Sequence, residues 1–261
     1  MINTSIVIST YHRTFEGEGN RIILDFQKQN LNNFFILFDN QHNYDSQFIS
    51  SKYNNSNICS YSLNDFIKYN FDKPISRSHW WGSHQNPKYF YAHFRMMVFY
   101  LNYPQYDYYW FFDDDVTFTG SLHNLLSTYD TETDDFIAIQ AFKKENYIEY
   151  PRVSVINNRM SGSRGYWLNH CPGDGDNFKS TSKHFGCFFP IVRFSNRAMK
   201  YLFDIHNEGY FGYSEGFVPT SLASEGFSVS SMMDEYNNFF ITNNTDCVLF
   251  HKNIRFTWEW L

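Results

Sequence analysis

The run Trp110-Phe111-Phe112 leads straight into Asp113-Asp114-Asp115. Three carboxylates at the end of a buried strand repel one another, and a facing cation offsets both that repulsion and the cost of desolvation. Successive side chains alternate along extended backbone, so Asp113 and Asp115 point one way and Asp114 the other. Two hard oxygen donors then meet at one point. Such a set suits Mg²⁺ or Mn²⁺ and, through the ion, substrate phosphates. Trp80, Trp81, Tyr166 and Trp167 stand in otherwise polar segments. Rings so placed either plug a loop onto the core or stack on the apolar C–H face of a sugar.

The elements around the aspartates read as alternating strands and helices. Ser5–Ser9 is an apolar strand, and Asn20–Gln29 carries Ile22, Ile23 and Phe26 at helical spacing. Phe34–Phe38 is a second strand ending at Asp39, Ile58–Ser62 a third, and Leu63–Tyr69 a short helix. Asn86 and Pro87 have the chemistry of an N-cap and a first helical residue, opening a helix to about Leu101. Tyr108–Phe112, Phe136–Ala141, Cys187–Phe194 and Cys247–Phe250 read as further strands. Ser195 caps a helix to His206, and Phe217–Ser224 is a short helix. Residues 143–183 show little periodicity and hold four glycines, a loop long enough to suggest function. The βαβα order predicts an α/β fold with a mostly parallel central sheet flanked by helices. Ligands in such sheets lie beyond the carboxyl ends of the strands. Thr10, Tyr11, Arg13 and Asp39 follow or end the first two strands there.

The 261 residues can bury a sizeable core without a disulfide or metal. With no repeat, linker or composition shift, a single domain over 1–261 is expected. A net charge of −6 without a basic run disfavours a nucleic-acid binder. Cys59, Cys171, Cys187 and Cys247 form no paired motif, which argues against a zinc site or disulfide framework. No apolar run reaches 18 residues and no signal peptide is visible, so a cytoplasmic location is expected. Aromatics make up 21% of the chain, and there are 27 asparagines. Codon bias of a low-GC genome accounts for both, and so does a surface built to bind sugars.

On these residues the chain resembles the nucleotide-sugar-dependent glycosyltransferases of the GT-A fold, whose hallmark is an Asp-x-Asp motif ending a mid-domain strand. Tyr91–Gly120 and Gly209–Gly226 also resemble the equivalent stretches of fungal mannosyltransferases, whose Tyr-Asp-Tyr-Tyr-Trp run recurs as Tyr106 to Trp110. That subfamily has Glu-Pro-Asp where this chain has Asp113-Asp114-Asp115. Pro190 stands near the place of its carboxylate in the strand after the motif. At these positions the chain departs from the residues that go with the subfamily's mannose specificity and retaining stereochemistry.

The resemblance implies a Rossmann-like GT-A domain with a nucleotide-sugar half over 1–120 and an acceptor half over 121–261. Asp113, Asp115 and His251 would hold Mn²⁺ or Mg²⁺, with Asp113 on the metal or the ribose. An imidazole suits Mn²⁺ better than Mg²⁺. Asp114 would belong to the donor site, where Thr10, Tyr11, Arg13 and Asp39 contact base and ribose. Arg95 would reach a phosphate, and Lys252 with Arg255 would meet the departing diphosphate. Glu215 would take the proton of the acceptor hydroxyl, giving inversion. Its other reading is a carboxylate favoured by the first turn of a helix, and Glu225, Asp234 and Glu235 remain alternatives for the base. Trp80, Trp81 and Trp167 would hold the acceptor. The implied partners are a UDP- or GDP-linked sugar and a glycan or glycolipid. The implied place is the bacterial cytoplasm beside the inner membrane, with residues 254–260 against a membrane surface or the core.

Asp113-x-Asp115-x-Thr117 also resembles the nucleophile motif of haloacid-dehalogenase-type phosphatases, and Gly173–Asn177 their later metal motif. In that family the nucleophile strand opens the fold, and an apolar strand precedes the later motif; neither holds here. A nucleotidyltransferase would carry a Gly-rich, Lys-containing loop after the first strand, but Thr10–Asn20 has no Lys. A non-catalytic sugar-binding protein would leave the three aspartates unexplained.

Overall fold

A computed structural model describes residues 2–11, 20–28, 31, 33–40, 42–54, 57–72, 92–114, 116–118, 122–143, 155–156, 159–160, 177–179, 185–232 and 249–251. Strands β1 (Thr4–Tyr11), β2 (Phe34–Asp39), β3 (Ile58–Tyr61), β4 (Tyr108–Asp113), β6 (Phe136–Lys143), β9 (Phe185–Ser195) and β10 (Val229–Ser231) form one sheet in the order β10-β6-β9-β4-β1-β2-β3. Six of them run one way, and only β9 is reversed, antiparallel to both β4 and β6. The expected mostly parallel α/β sheet is therefore present. Two small antiparallel pairs lie apart from it. β5 (Val116–Phe118) pairs with β11 (Leu249–His251), and β7 (Val155–Ile156) pairs with β8 (Arg159–Met160).

Helices cover both faces, so strand residues of either parity are buried. On one face Val7, Phe35, Leu37, Tyr109, Phe111, Val192 and Phe194 pack with α3 (Leu63–Lys68), α4 (Ala92–Asn102), α6 (Asn196–Asn207) and α7 (Ser214–Ser224). On the other, Ile6, Ile8, Ile36, Phe38, Trp110, Phe112 and Ile137 pack with α1 (Asn20–Lys28), α2 (Ser46–Tyr53) and α5 (Leu122–Thr128). Each such side chain contributes about 1.5–3 kcal/mol by leaving water. Described aromatic side chains go largely into these cores: Phe71 stacks on Phe94 at 4.7 Å, and Phe111 meets Phe99 edge-on at 5.9 Å. Among the described residues only Leu24, Phe48, Leu63 and Ile67 are large hydrophobics left exposed. None of the described helices is long and apolar enough to cross a membrane.

Six elements go beyond the sequence reading, two of them the short strands β7 and β8 inside the stretch 143–183 that reads as a loop. Helix α2 is polar and weakly patterned; the Asp45 carboxylate caps it, accepting from the Gln47 and Phe48 N–H groups. Helix α5 and strands β5 and β10 are short and follow or precede turns. Helix α7 begins at Ser214, three residues ahead of the expected start, whereas Ser195 caps α6 as expected by accepting from Ala198 N–H at 3.2 Å.

Candidate functional site

The chain leaves β1 for β2 and β3 on one side and returns to β4 on the other. Strand order thus reverses between β1 and β4, and open α/β sheets take their ligands beyond the carboxyl ends at such a point. Asp113 ends β4 at this point, as the register partner of Ser9 on β1. The Asp114 N–H donates to the Ser9 carbonyl at 3.2 Å, holding the acidic turn against β1. Asp113 has the parity of Tyr109 and Phe111, which lie on the α4 face, and it accepts from the Arg95 guanidinium of α4. Asp114 instead reaches Thr10, whose hydroxyl donates to Oδ2 at 2.8 Å. The alternation expected of these two side chains is present.

Asp39 ends β2 and is buried, with Tyr11 and Tyr61 as register partners. Tyr61 ends β3 and was not singled out by its sequence. Burial pushes its hydroxyl pKa upward, Asp39 and Asp113 add to that, and a hydrogen bond with Arg95 works against it. A phenol, two carboxylates and one guanidinium thus share the carboxyl edge beneath α4. Arg95, expected on a phosphate, is engaged with Asp113 in this structure.

Glu215 is the second residue of α7 and is buried. Tyr213 Oη donates to its Oε2 at 3.0 Å. Pro219 lies four residues on, inside the helix, and has no N–H to give the Glu215 carbonyl. The Cys187 thiol of β9 donates to that carbonyl instead, at 3.7 Å. Burial, and then Glu215, keep the thiol protonated by pushing its pKa well up. The first residue of α7, Ser214, contacts α4: its Oγ lies 2.8 Å from His93 Nδ1 and accepts from the His93 N–H at 3.4 Å. Arg95 follows His93 by two residues. One turn of α4 therefore touches Asp113 through one residue and the start of α7 through another.

By chemistry a carboxylate such as that of Asp113 suits a divalent cation, and here it is engaged by Arg95, while Asp114 turns the other way to Thr10. His251 is the register partner of Val116, the residue after Asp115, so its backbone adjoins the acidic turn. Among the described residues no three His, Cys, Asp or Glu side chains gather closely enough to hold a metal. Asp115 lies outside the described residues, as do Arg13, Trp80, Trp81, Trp167 and Lys252; of Tyr11 and His251 only the backbone is described.

No protein-family model and no curated protein matches the sequence. Solved structures are similar to it. Mouse xyloside xylosyltransferase 1 in its apo form matches over 97% of this chain and 99% of its own, at 8% identity and a TM-score of 0.51. The bifunctional glycosyltransferase WbbM matches 90% of this chain at 13% identity and a TM-score of 0.48, and the chain spans only 39% of WbbM. The mannosyltransferase Ktr4p from S. cerevisiae, solved with GDP, matches 87% of this chain and 67% of its own at 13% identity and a TM-score of 0.38. Likenesses below 0.5 also include a 4-diphosphocytidyl-2C-methyl-D-erythritol synthase. The end-to-end likeness to the xylosyltransferase shows a GT-A-type fold.

Proposed function

We propose that this chain, with its GT-A-type fold, is a metal-dependent glycosyltransferase. It moves a sugar from a UDP- or GDP-linked donor to a hydroxyl of a glycan or glycolipid. The observation that carries the reading is the acidic end of β4: Asp113 and Asp114 sit where strand order reverses, tied to α4 by Arg95 and to β1 by Thr10. Carboxylates at the carboxyl end of a strand where the strand order of an open α/β sheet reverses support a site for a cation and a diphosphate.

Asp113, Asp115 and His251 would hold Mn²⁺ or Mg²⁺, which supplies charge neutralisation for a leaving diphosphate. Thr10, Tyr11, Arg13 and Asp39 bind base and ribose, and Asp114 anchors the turn to Thr10. Arg95 sets the Asp113 carboxylate, and Lys252 meets the diphosphate. Glu215 accepts the proton of the acceptor hydroxyl as it attacks, giving inversion. Trp80, Trp81 and Trp167 hold the acceptor. The whole chain acts as one domain, with the donor half over 1–120 and the acceptor half over 121–261.

A thermal shift with UDP, GDP and CMP, each with and without Mn²⁺, tests the reading. A ligand at 100 times its Kd adds about 2.7 kcal/mol. At ~2–4 °C per kcal/mol this raises Tm by several degrees. The expected result is a shift that needs one nucleotide and Mn²⁺ and is lost in Asp115→Asn. A response to metal with a phosphate mimic, but to no nucleotide, would overturn it in favour of a phosphatase. Release of pyrophosphate from a nucleoside triphosphate would point to nucleotidyl transfer.

A further inference from the structure

His93 is a buried imidazole that the proposed chemistry does not use. It projects from the first turn of α4, its ring 5.6 Å from that of Phe217 and 4.5 Å from that of Phe94. A leucine or phenylalanine would fill such a place at no cost in polar desolvation. The imidazole instead meets Ser214 of α7. Ser214 Oγ accepts from the His93 backbone N–H, so its own hydrogen is available to ring Nδ1 at 2.8 Å. Burial, and then the nearby His206, lower the ring pKa to about 3, so the ring is neutral and Nδ1 can accept near pH 7.

This bond has a consequence for geometry. Ser214 is the residue before Glu215, and α7 carries a proline in place of the N–H that would tie the Glu215 carbonyl into the helix. Besides the Phe217 N–H on the Tyr213 carbonyl at 2.7 Å, the start of α7 is held from outside, by Cys187 of β9 on the Glu215 carbonyl and by His93 of α4 on Ser214. Two residues beyond His93, Arg95 holds Asp113.

We infer that His93 is a positioning residue: through Ser214 it sets the Glu215 carboxylate relative to the Asp113 end of β4, with the first turn of α4 as the common frame. The inference rests on the reading of Glu215 as the base. A misplacement of about 1 Å in a reacting group can cost about 100-fold in rate. Loss of the bond should therefore appear in turnover and leave donor binding unchanged.

The test measures release of nucleoside diphosphate from UDP- and GDP-linked hexoses, with octyl glycosides as acceptors. His93→Leu, His93→Asn, Ser214→Ala, the double variant His93→Leu/Ser214→Ala, and Glu215→Gln are compared. Nucleotide thermal shifts first establish that each folds and keeps its donor site. The expected result is a fall in kcat of about tenfold or more in His93→Leu and in Ser214→Ala, with donor KM unchanged. The double variant should be no worse than Ser214→Ala, because the side-chain bond that His93→Leu removes is already lost there. His93→Asn, which keeps a polar partner for Ser214, should recover part of the loss. Should His93→Leu fail to fold, Ser214→Ala removes a single hydroxyl and carries the comparison. If Glu215→Gln is inactive while Ser214→Ala turns over normally, or changes kcat and donor KM together, the positioning role is wrong and the base assignment stands. If Glu215→Gln turns over normally, the base assignment fails and His93 loses its role with it. If no donor releases its nucleotide even in the unaltered protein, the glycosyltransferase reading itself is wrong.

Discussion

A buried histidine that stays neutral makes stability depend on acid. The folded pKa of His93 is about 3, against ~6.5 for an unfolded histidine. Between these values the unfolded chain takes up a proton that the folded one refuses. Stability therefore rises with pH across this window and is lost as pH falls below about 6.5, at up to ~1.4 kcal/mol per unit. From pH 7 to pH 5 the loss due to His93 is about 2 kcal/mol. His93→Asn is less stable at pH 7 because it packs less well, but it lacks this proton. The gap between the unaltered protein and the variant should narrow by about 2 kcal/mol over that interval in urea unfolding. Parallel curves would mean that His93 titrates normally in the fold. The same residue shows what a sequence conceals. Asp113–Asp115 stand out because charge follows an apolar run directly. His93 sits among apolar neighbours in a helix, and its partner Ser214 is 121 positions away.

Elements with strong patterns were readable, and short polar ones were not. β1, β2, β4 and β9 announced themselves as apolar runs bounded by polar residues, and α6 by its Ser195 cap. Ser46–Tyr53 has little amphipathic pattern, so only the Asp45 cap marked it. The start of α7 was hidden because Ser214-Glu215-Gly216 has a glycine in its first turn and a proline soon after. A second cluster, absent from the sequence reading, joins three element boundaries away from the site. Asp135, just before β6, accepts from Ser195 Oγ at 2.8 Å at the β9–α6 junction and from the Ser228 N–H at 3.0 Å just before β10. Exposed Arg197 of α6 pairs with it. Burial raises the Asp135 pKa, but Arg197, Ser195 and Ser228 outweigh it and hold the carboxyl below its ordinary value. Its folded pKa thus lies under the unfolded ~3.9, so its stabilisation is complete above that value and is lost as pH falls through the folded one. Asp135→Asn should cost about 2–3 kcal/mol at pH 7, the worth of a buried charge-assisted hydrogen bond. That cost should shrink only below about pH 4, a lower window than that of His93. A cost that persists unchanged in strong acid would show that shape, and not charge, is what Asp135 supplies.

At the scale of the whole molecule the sheet and the site are separate works of the same chain. The sheet was foreseeable because each strand carries its own apolar signal. The site was foreseeable only in part, because parallel pairing brings together residues far apart, such as Thr10 and Asp114 at 104 positions. This division predicts which changes harm folding and which harm only ligand response. Phe111 lies in the middle of the sheet, fully buried, its ring meeting those of Phe99, Tyr109 and Phe194. Removing it leaves a cavity, and Phe111→Ala should cost about 3–5 kcal/mol. At ~2–4 °C per kcal/mol the melting temperature falls by roughly 10 °C. His251 lies on β11, which pairs with β5 outside the seven-stranded sheet. His251→Ala should change stability by less than about 1 kcal/mol, yet remove most of the Mn²⁺-dependent part of the nucleotide shift. One melting experiment with and without nucleotide and Mn²⁺ reads both effects. If His251→Ala lowers the melting temperature as far as Phe111→Ala does, the β5–β11 pair belongs to the folding core. If the Mn²⁺-dependent shift survives in His251→Ala, the imidazole is no ligand, and the cation must be held by the aspartates at the end of β4 alone.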